Sequence, residues 1–261
     1  MDAPLASGRF VFGERLIFIP PPPYPPGAAL FEHQRAQLGG CGVLQPERMD
    51  HGGCKMLPAD EAVPVLTDHA ARELPASTAY KVWPAAYDLA HRLSVLNIAG
   101  KSVLELGAGC GLPGLAAWCV GARRVLLTDV AENIPRLSQL IEQNGASSAV
   151  AVAELDWTQP VPATIASAGW DLVVAADCVF WPELWLPLLN TLAAITNGRP
   201  RATPPPRVLL TIVDRLGRAR AFCDATHAAG WALERIDKPI LCQQPVAIQS
   251  PELYELRWVG E

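Results

Sequence analysis

The segment VLELGAGCGLPG, residues 103–114, constrains this chain more than any other. It runs an apolar strand into four glycines and out into a helical stretch. Such a turn lets backbone approach a ligand closely, and the helix start offers free N–H groups. It can hold a nicotinamide dinucleotide, a flavin, S-adenosylmethionine or nothing. The glycines alone do not choose.

Around that turn, strand-like and helical stretches alternate. YKVWPAAYDLAHRLSVL, residues 80–96, has apolar residues three and four apart from Trp83 to Leu96, which predicts an amphipathic helix starting near Pro84. Strands are predicted in SVLELG, RVLLTD, AVAVAEL, WDLVVAAD and RVLLTIV, with helices over 112–121, 131–144, 183–196 and 217–229. Continuous apolar runs mark strands buried on both faces, as in parallel sheets. Their alternation with helices predicts a doubly wound α/β fold. The late strands WALERID and LYELRWV have alternating polar residues and no evident helix between them. The expected sheet is therefore seven-stranded and mostly parallel, with an antiparallel last strand.

Upstream, RFVFGERLIFI, residues 9–19, predicts a β-hairpin around Gly13-Glu14. The proline run from Pro20 to Pro26 forces an extended linker. Residues 31–79 have weak periodicity and are expected to form an irregular insertion with one helix near 59–73. The expected organisation is an N-terminal extension, 1–79, and one domain, 80–261.

Composition narrows the partners. Half of the residues are hydrophobic, enough for a full core, and the net charge is -5. An acidic chain is poorly suited to gripping a phosphate backbone, so nucleic acid is not an expected partner. The N-terminus MDAPLASGRF lacks the basic start and apolar core of a secretory signal. No apolar run reaches the ~18 residues that span a bilayer, so no membrane partner is expected. Seven cysteines, an odd number mostly within apolar segments, read as reduced buried thiols in a reducing compartment. Cys41, His51 and Cys54, with His33 as a distant fourth, lack a second C-x-x-C, so no metal site is expected.

The acidic strand ends carry the chemistry. Asp129 closes the strand after the glycine turn, eighteen positions beyond Gly111, where a carboxylate can accept from ribose hydroxyls. To this point a dehydrogenase and a methyltransferase look equal. ELDW, residues 154–157, adds an acid that can accept from an adenine amine and an indole that can wall the pocket. AADCVF, residues 175–180, ends the next strand. In open α/β sheets, ligands sit beyond the carboxyl ends of strands, so four successive strands point these groups at one edge.

With VWPAAYDLA, GKSVLELGAGCGLPGL, LLTD, AELDW, AADCVF and RAFCDATHAAGW, the chain resembles the seven-strand S-adenosylmethionine-dependent methyltransferases, specifically the family-16 protein-lysine methyltransferase group. The resemblance covers roughly residues 80–258 and implies a class I, Rossmann-like methyltransferase fold. It implies that Gly107, Ala108 and Gly109 pass under the methionine part of S-adenosylmethionine and that Asp129 holds the ribose. Asp156 and Trp157 would lie by the adenine, and Trp83 and Ala176 would line the cofactor site. Asp177-Cys178-Val179-Phe180 looks like the family's D/E-x-x-Y/F signature, which makes Asp177 and Phe180 the catalytic pair. Phe180 stands where tyrosine is commoner, so a phenol hydroxyl is absent.

The expected partner is a protein presenting a lysine to a monomeric enzyme in the cytoplasm, with access to the nucleus. The rival readings are a small-molecule N-methyltransferase on the same fold and a nicotinamide-dependent oxidoreductase. A nucleic-acid adenine methyltransferase would want prolines after the strand-end acid, which DCVF lacks.

Overall fold

The computed structural model describes residues 8–12, 15–19, 79, 82–214, 217–237 and 251–260. Strands β1 (Gly8–Phe12) and β2 (Arg15–Ile19) form the antiparallel hairpin expected around Gly13-Glu14. Ile17 of β2 is fully buried in the same core cluster as Leu89, Leu115 and Leu137, so the hairpin is packed onto the main body. The helix expected near 59–73 lies outside the described residues, as do Cys41, His51, Cys54 and His33.

From Pro84 the alternation read in the sequence is realised. Helix α1 (Pro84–Val95) precedes β3 (Ser102–Leu106), α2 (Leu112–Cys119), β4 (Arg124–Asp129), α3 (Ile134–Gln143) and β5 (Val150–Glu154). A short helix α4 (Ala163–Ala166) then leads to β6 (Leu172–Ala176), α5 (Trp185–Gly198), β7 (Arg207–Ile212), α6 (Ala219–Ala228), β8 (Trp231–Asp237) and β9 (Glu252–Trp258). The main sheet has seven strands in the order β5-β4-β3-β6-β7-β9-β8. The pairs from β5 to β7 are parallel, while β9 runs antiparallel to both β7 and β8. The antiparallel last strand is as expected, and it inserts between β7 and β8 rather than adding to the edge.

Strand residues alternate between two cores. Val103, Leu127, Val174 and Leu209 face the layer containing Leu89, Leu115 and Leu137, from α1, α2 and α3. Leu104, Val173, Leu210 and Ile212 face the layer containing Ile165, Leu188 and Phe222, from α4, α5 and α6. Both faces of the sheet are therefore covered, which is why its central strands read as unbroken apolar runs. Strand order reverses beside β3, with β4 on one flank and β6 on the other. A crevice at the carboxyl ends of strands follows from that reversal.

Candidate active site

The glycine turn is built where β3 ends. Gly107, Gly109 and Gly111 all have positive φ, at 59°, 53° and 65°. Only glycine adopts such a sequence of conformations without strain. Gly107 is also held by contact: a Cβ there would lie 2.9 Å from Cys178 Sγ and 3.1 Å from Trp157 Cζ2. The ends of β3, β5 and β6 therefore meet over this residue. Ala108 is buried, and its N–H donates to the Thr128 carbonyl at 2.9 Å, continuing the ladder two residues beyond β3.

Asp129 ties the turn to β4. Its Oδ2 accepts the Gly109 N–H at 2.7 Å and the Asn133 side-chain N–H at 3.0 Å. Its Oδ1 accepts the Val130 N–H at 2.8 Å. Arg136, on α3, donates to the Ala79 carbonyl at 2.6 Å and, over a longer 3.4 Å, to the Gly109 carbonyl. It also donates to Cys110 Sγ at 3.3 Å, so one guanidinium joins the chain just before α1 to the glycine turn.

Glu105 lies below the turn in the middle of β3, with 1% of its surface exposed. It accepts the Gly114 N–H at 2.8 Å. Burial pushes its carboxyl up to about 8 against the opposing pull of that N–H, with a smaller upward push from the Asp129 charge. Burial likewise raises the Cys178 thiol well above its ordinary range, helped by the charges of Asp129 and Asp177.

Asp177 follows β6 directly. Its backbone N–H donates to the Thr211 carbonyl at 2.8 Å, and its φ of 59° makes it the only non-glycine residue with positive φ among the described residues. Ala176, half-buried, ends the strand just before it.

A family model described as lysine methyltransferase matches residues 68–226, more than half of the chain. The chain belongs to the lysine methyltransferase family. It is similar to the protein N-lysine methyltransferase METTL21A of Danio rerio, 36% identical, over 45% of this chain and 55% of that protein. It is also similar to the histone-arginine methyltransferase METTL23 of Homo sapiens, 32% identical, over 46% of this chain and 65% of that protein. The chain thus spans between half and two thirds of the length of these curated relatives. Among solved structures, the mitomycin 7-O-methyltransferase MmcR aligns with a TM-score of 0.51 at 15% identity, covering 73% of this chain and 58% of that one. That likeness concerns the fold, and it agrees with the seven-stranded sheet.

Lysine methyltransferases of this family depend on S-adenosylmethionine, and the residues at this sheet edge suit that nucleoside. The turn offers backbone at positive φ, and Asp129 offers a carboxylate beside it. The Trp157 indole nitrogen is buried without a hydrogen-bond partner among the described residues, which leaves a donor at this edge of the sheet. A Cβ on Gly109 would lie in ordinary contact with the Ala79 backbone, at 3.8 Å.

The sequence-read residues divide into those brought together and those set apart. Gly107, Ala108, Gly109, Asp129 and Trp157 converge, with Cys178 between Asp177 and the turn. Asp156 turns back on its own loop, where its Oδ1 accepts the Thr158 N–H at 2.9 Å and the Thr158 hydroxyl at 2.8 Å. Trp83 is half-buried at the N-cap position of α1, and the Ala85 carbonyl two residues on accepts the Thr211 hydroxyl at 2.9 Å, anchoring that helix start to the end of β7. Phe180 stacks edge-on against Trp181, centroids 5.1 Å apart. It lines a cleft with Val179, Trp185, Ile212, Asp214 and Phe222 at the ends of β6 and β7. Asn133, Arg136 and Glu105 were not read as site residues. Asn133 had one available signal, a side-chain amide four residues after a strand-end acid. Among the described residues no group of three or more His, Cys, Asp or Glu side chains is placed to hold a metal.

Proposed function

We propose that this protein transfers a methyl group from S-adenosylmethionine to the side-chain amine of a lysine in a protein substrate. The observation supporting it is the meeting of three strand ends over Gly107, with Asp129 bonded to the turn on one side and Asp177 adjoining Cys178 on the other. In this reading Gly107, Ala108 and Gly109 run beneath the methionine part. Asp129 takes the ribose, and Trp157 walls the adenine with Trp83 and Ala176 completing the lining. Asp156 contributes at the rim. The cofactor supplies an electrophilic methyl on an excellent leaving group, so the protein's task is alignment.

Asp177 and Phe180 then act on the amine. A lysine has an ordinary pKa of about 10.4 and must be neutral to react. Desolvation against apolar walls lowers that value, whereas a carboxylate raises it. Asp177 is therefore assigned to accepting an N–H and aiming the lone pair, with the proton lost to water before the amine is enclosed. Phe180 offers an aromatic face to a nitrogen that gains positive charge.

The domain so used is residues 80–261, with 1–79 as an extension. We place the enzyme in the cytoplasm with access to the nucleus, acting as a monomer, with neither nucleic acid nor membrane as partner. The described cysteines are all free thiols, in keeping with a reducing compartment, and no helix among the described residues is long and apolar enough to cross a membrane. Similarity to a histone-arginine methyltransferase favours a second reading, transfer to arginine. Labelled-methyl transfer from S-adenosylmethionine into lysate proteins, followed by hydrolysis, separates the two. Methyl-lysine is the expected product. Methyl-arginine would shift the assignment to the second reading, and label confined to small molecules would refute both.

A further inference from the structure

Helix α1 starts without an anchor of its own. Trp83 is its N-cap residue, followed by Pro84, and its side chain makes no capping hydrogen bond to the helix. A Ser, Thr, Asp or Asn at that position would fix the start from within. Here the fixing comes from outside, on both sides of Trp83 in the chain. Before it, the Ala79 carbonyl accepts from Arg136 at 2.6 Å and from the Cys110 thiol at 3.3 Å, next to the glycine turn. After it, the Ala85 carbonyl accepts the Thr211 hydroxyl at 2.9 Å.

Thr211 is 1% exposed and lies in β7, within the apolar run RVLLTIV. Valine has the same branched shape and suits a strand as well. A buried hydroxyl is costly unless it is bonded, and the Ala85 carbonyl is the partner that offsets that cost. The main-chain carbonyl of the same residue accepts the Asp177 N–H at 2.8 Å. One residue thus holds the backbone of Asp177 with its main chain and the start of α1, two residues past Trp83, with its side chain. We infer that Thr211 is a positioning residue, whose hydroxyl sets Trp83 in the cofactor lining at a fixed offset from Asp177. The inference rests on the reading that Trp83 lines an S-adenosylmethionine site. Valine at this position would keep the carbonyl bond to Asp177 and release the start of α1 alone.

The test is calorimetric titration of the full chain with S-adenosylhomocysteine in a double-mutant cycle between Thr211 and Trp83. Thr211→Val should bind about fivefold more weakly than the parent, the effect of one neutral hydrogen bond. Thr211→Ser keeps the hydroxyl and should bind within about twofold of the parent. Trp83→Ala should itself weaken binding, and adding Thr211→Val to it should change affinity by less than about twofold, because nothing is left to position. A merely loosened fold would weaken binding equally in both backgrounds. Unchanged affinity in Thr211→Val, a loss in Thr211→Ser matching that in Thr211→Val, or an equal loss with and without Trp83 would each overturn the inference and leave the cofactor reading standing. Parent-like binding by Trp83→Ala would overturn it too, by removing Trp83 from the lining. No binding by the parent protein would overturn both the inference and the reading beneath it.

Discussion

The ends of β3 and β4 and the ends of β6 and β7 share one sheet edge and are built in opposite ways. On the first side backbone takes positive φ only at glycines, and Asp129, Asn133 and Arg136 stitch the turn to its neighbours. On the second side positive φ falls on Asp177, where a side chain makes it costly by about 1–2 kcal/mol. Beside it is a cleft walled by Val179, Phe180, Trp185, Ile212 and Phe222, with Asp214 and Arg218 at its polar edge. The difference separates two requirements. A surface that must keep one shape is held by hydrogen bonds at relaxed positions. Asp177 instead carries its carboxylate on backbone that glycine adopts more freely, and in the proposed function that strain falls where the amine would be aimed.

The largest effect should come from the polar side. Glu105 keeps its proton up to about pH 8 in the folded chain, chiefly because it is buried. The unfolded chain releases that proton in the ordinary carboxylate range. Stability is therefore full below that range and falls as pH rises towards about 8, then levels. Glu105→Gln removes the titrating group while keeping an acceptor for Gly114. We expect its urea stability to be flat across this interval and to exceed the parent by a few kcal/mol at the alkaline end. A profile parallel to the parent's would show that Glu105 does not titrate there.

Next come two opposed substitutions. Gly107→Ala sets a methyl 2.9 Å from Cys178 Sγ at a φ of 59°. It should cost about 2–3 kcal/mol in urea unfolding. Asp177→Gly runs the other way: relief of backbone strain offsets the added chain entropy, and stability should stay within about 1 kcal/mol of the parent. If the Asp177 variant were the more damaging of the two, the contrast between a stitched side and a strained side would fail.

Much of this was legible before any coordinates. The five parallel strands came from apolar runs, the last two from alternating apolar and polar residues, and the hairpin from two runs flanking Gly13-Glu14. Gly107, Asp129 and Trp157 lie near one another because strand ends in an alternating fold share an edge. What escaped has physical reasons. Periodicity says which residues are buried and nothing about which strand lies beside which, so the insertion of β9 between β7 and β8 was invisible. Residues 163–166 make one helical turn, too short for a 3.6-residue pattern to declare itself. Glu105 reads as a lone charge in an apolar strand, and only the close approach of Gly114 gives it a partner. Asn133 and Arg136 act across a turn on backbone carbonyls, which leave no mark in composition. The Asx turn in which Asp156 Oδ1 accepts from Thr158 is a local contact that adjacency to Trp157 does not announce.

The division of labour along the sheet edge is tested most directly by titrating S-adenosylhomocysteine and timing single-turnover methyl transfer in Asp129→Asn and Asp177→Asn. Asparagine tolerates the backbone conformation at position 177, so that change removes charge and leaves shape. We expect Asp129→Asn to bind the product roughly tenfold or more weakly. Asp177→Asn should bind it within about threefold of the parent yet transfer methyl on the order of a hundredfold more slowly. Equal loss of binding in the two variants, or undiminished transfer in Asp177→Asn, would contradict the account.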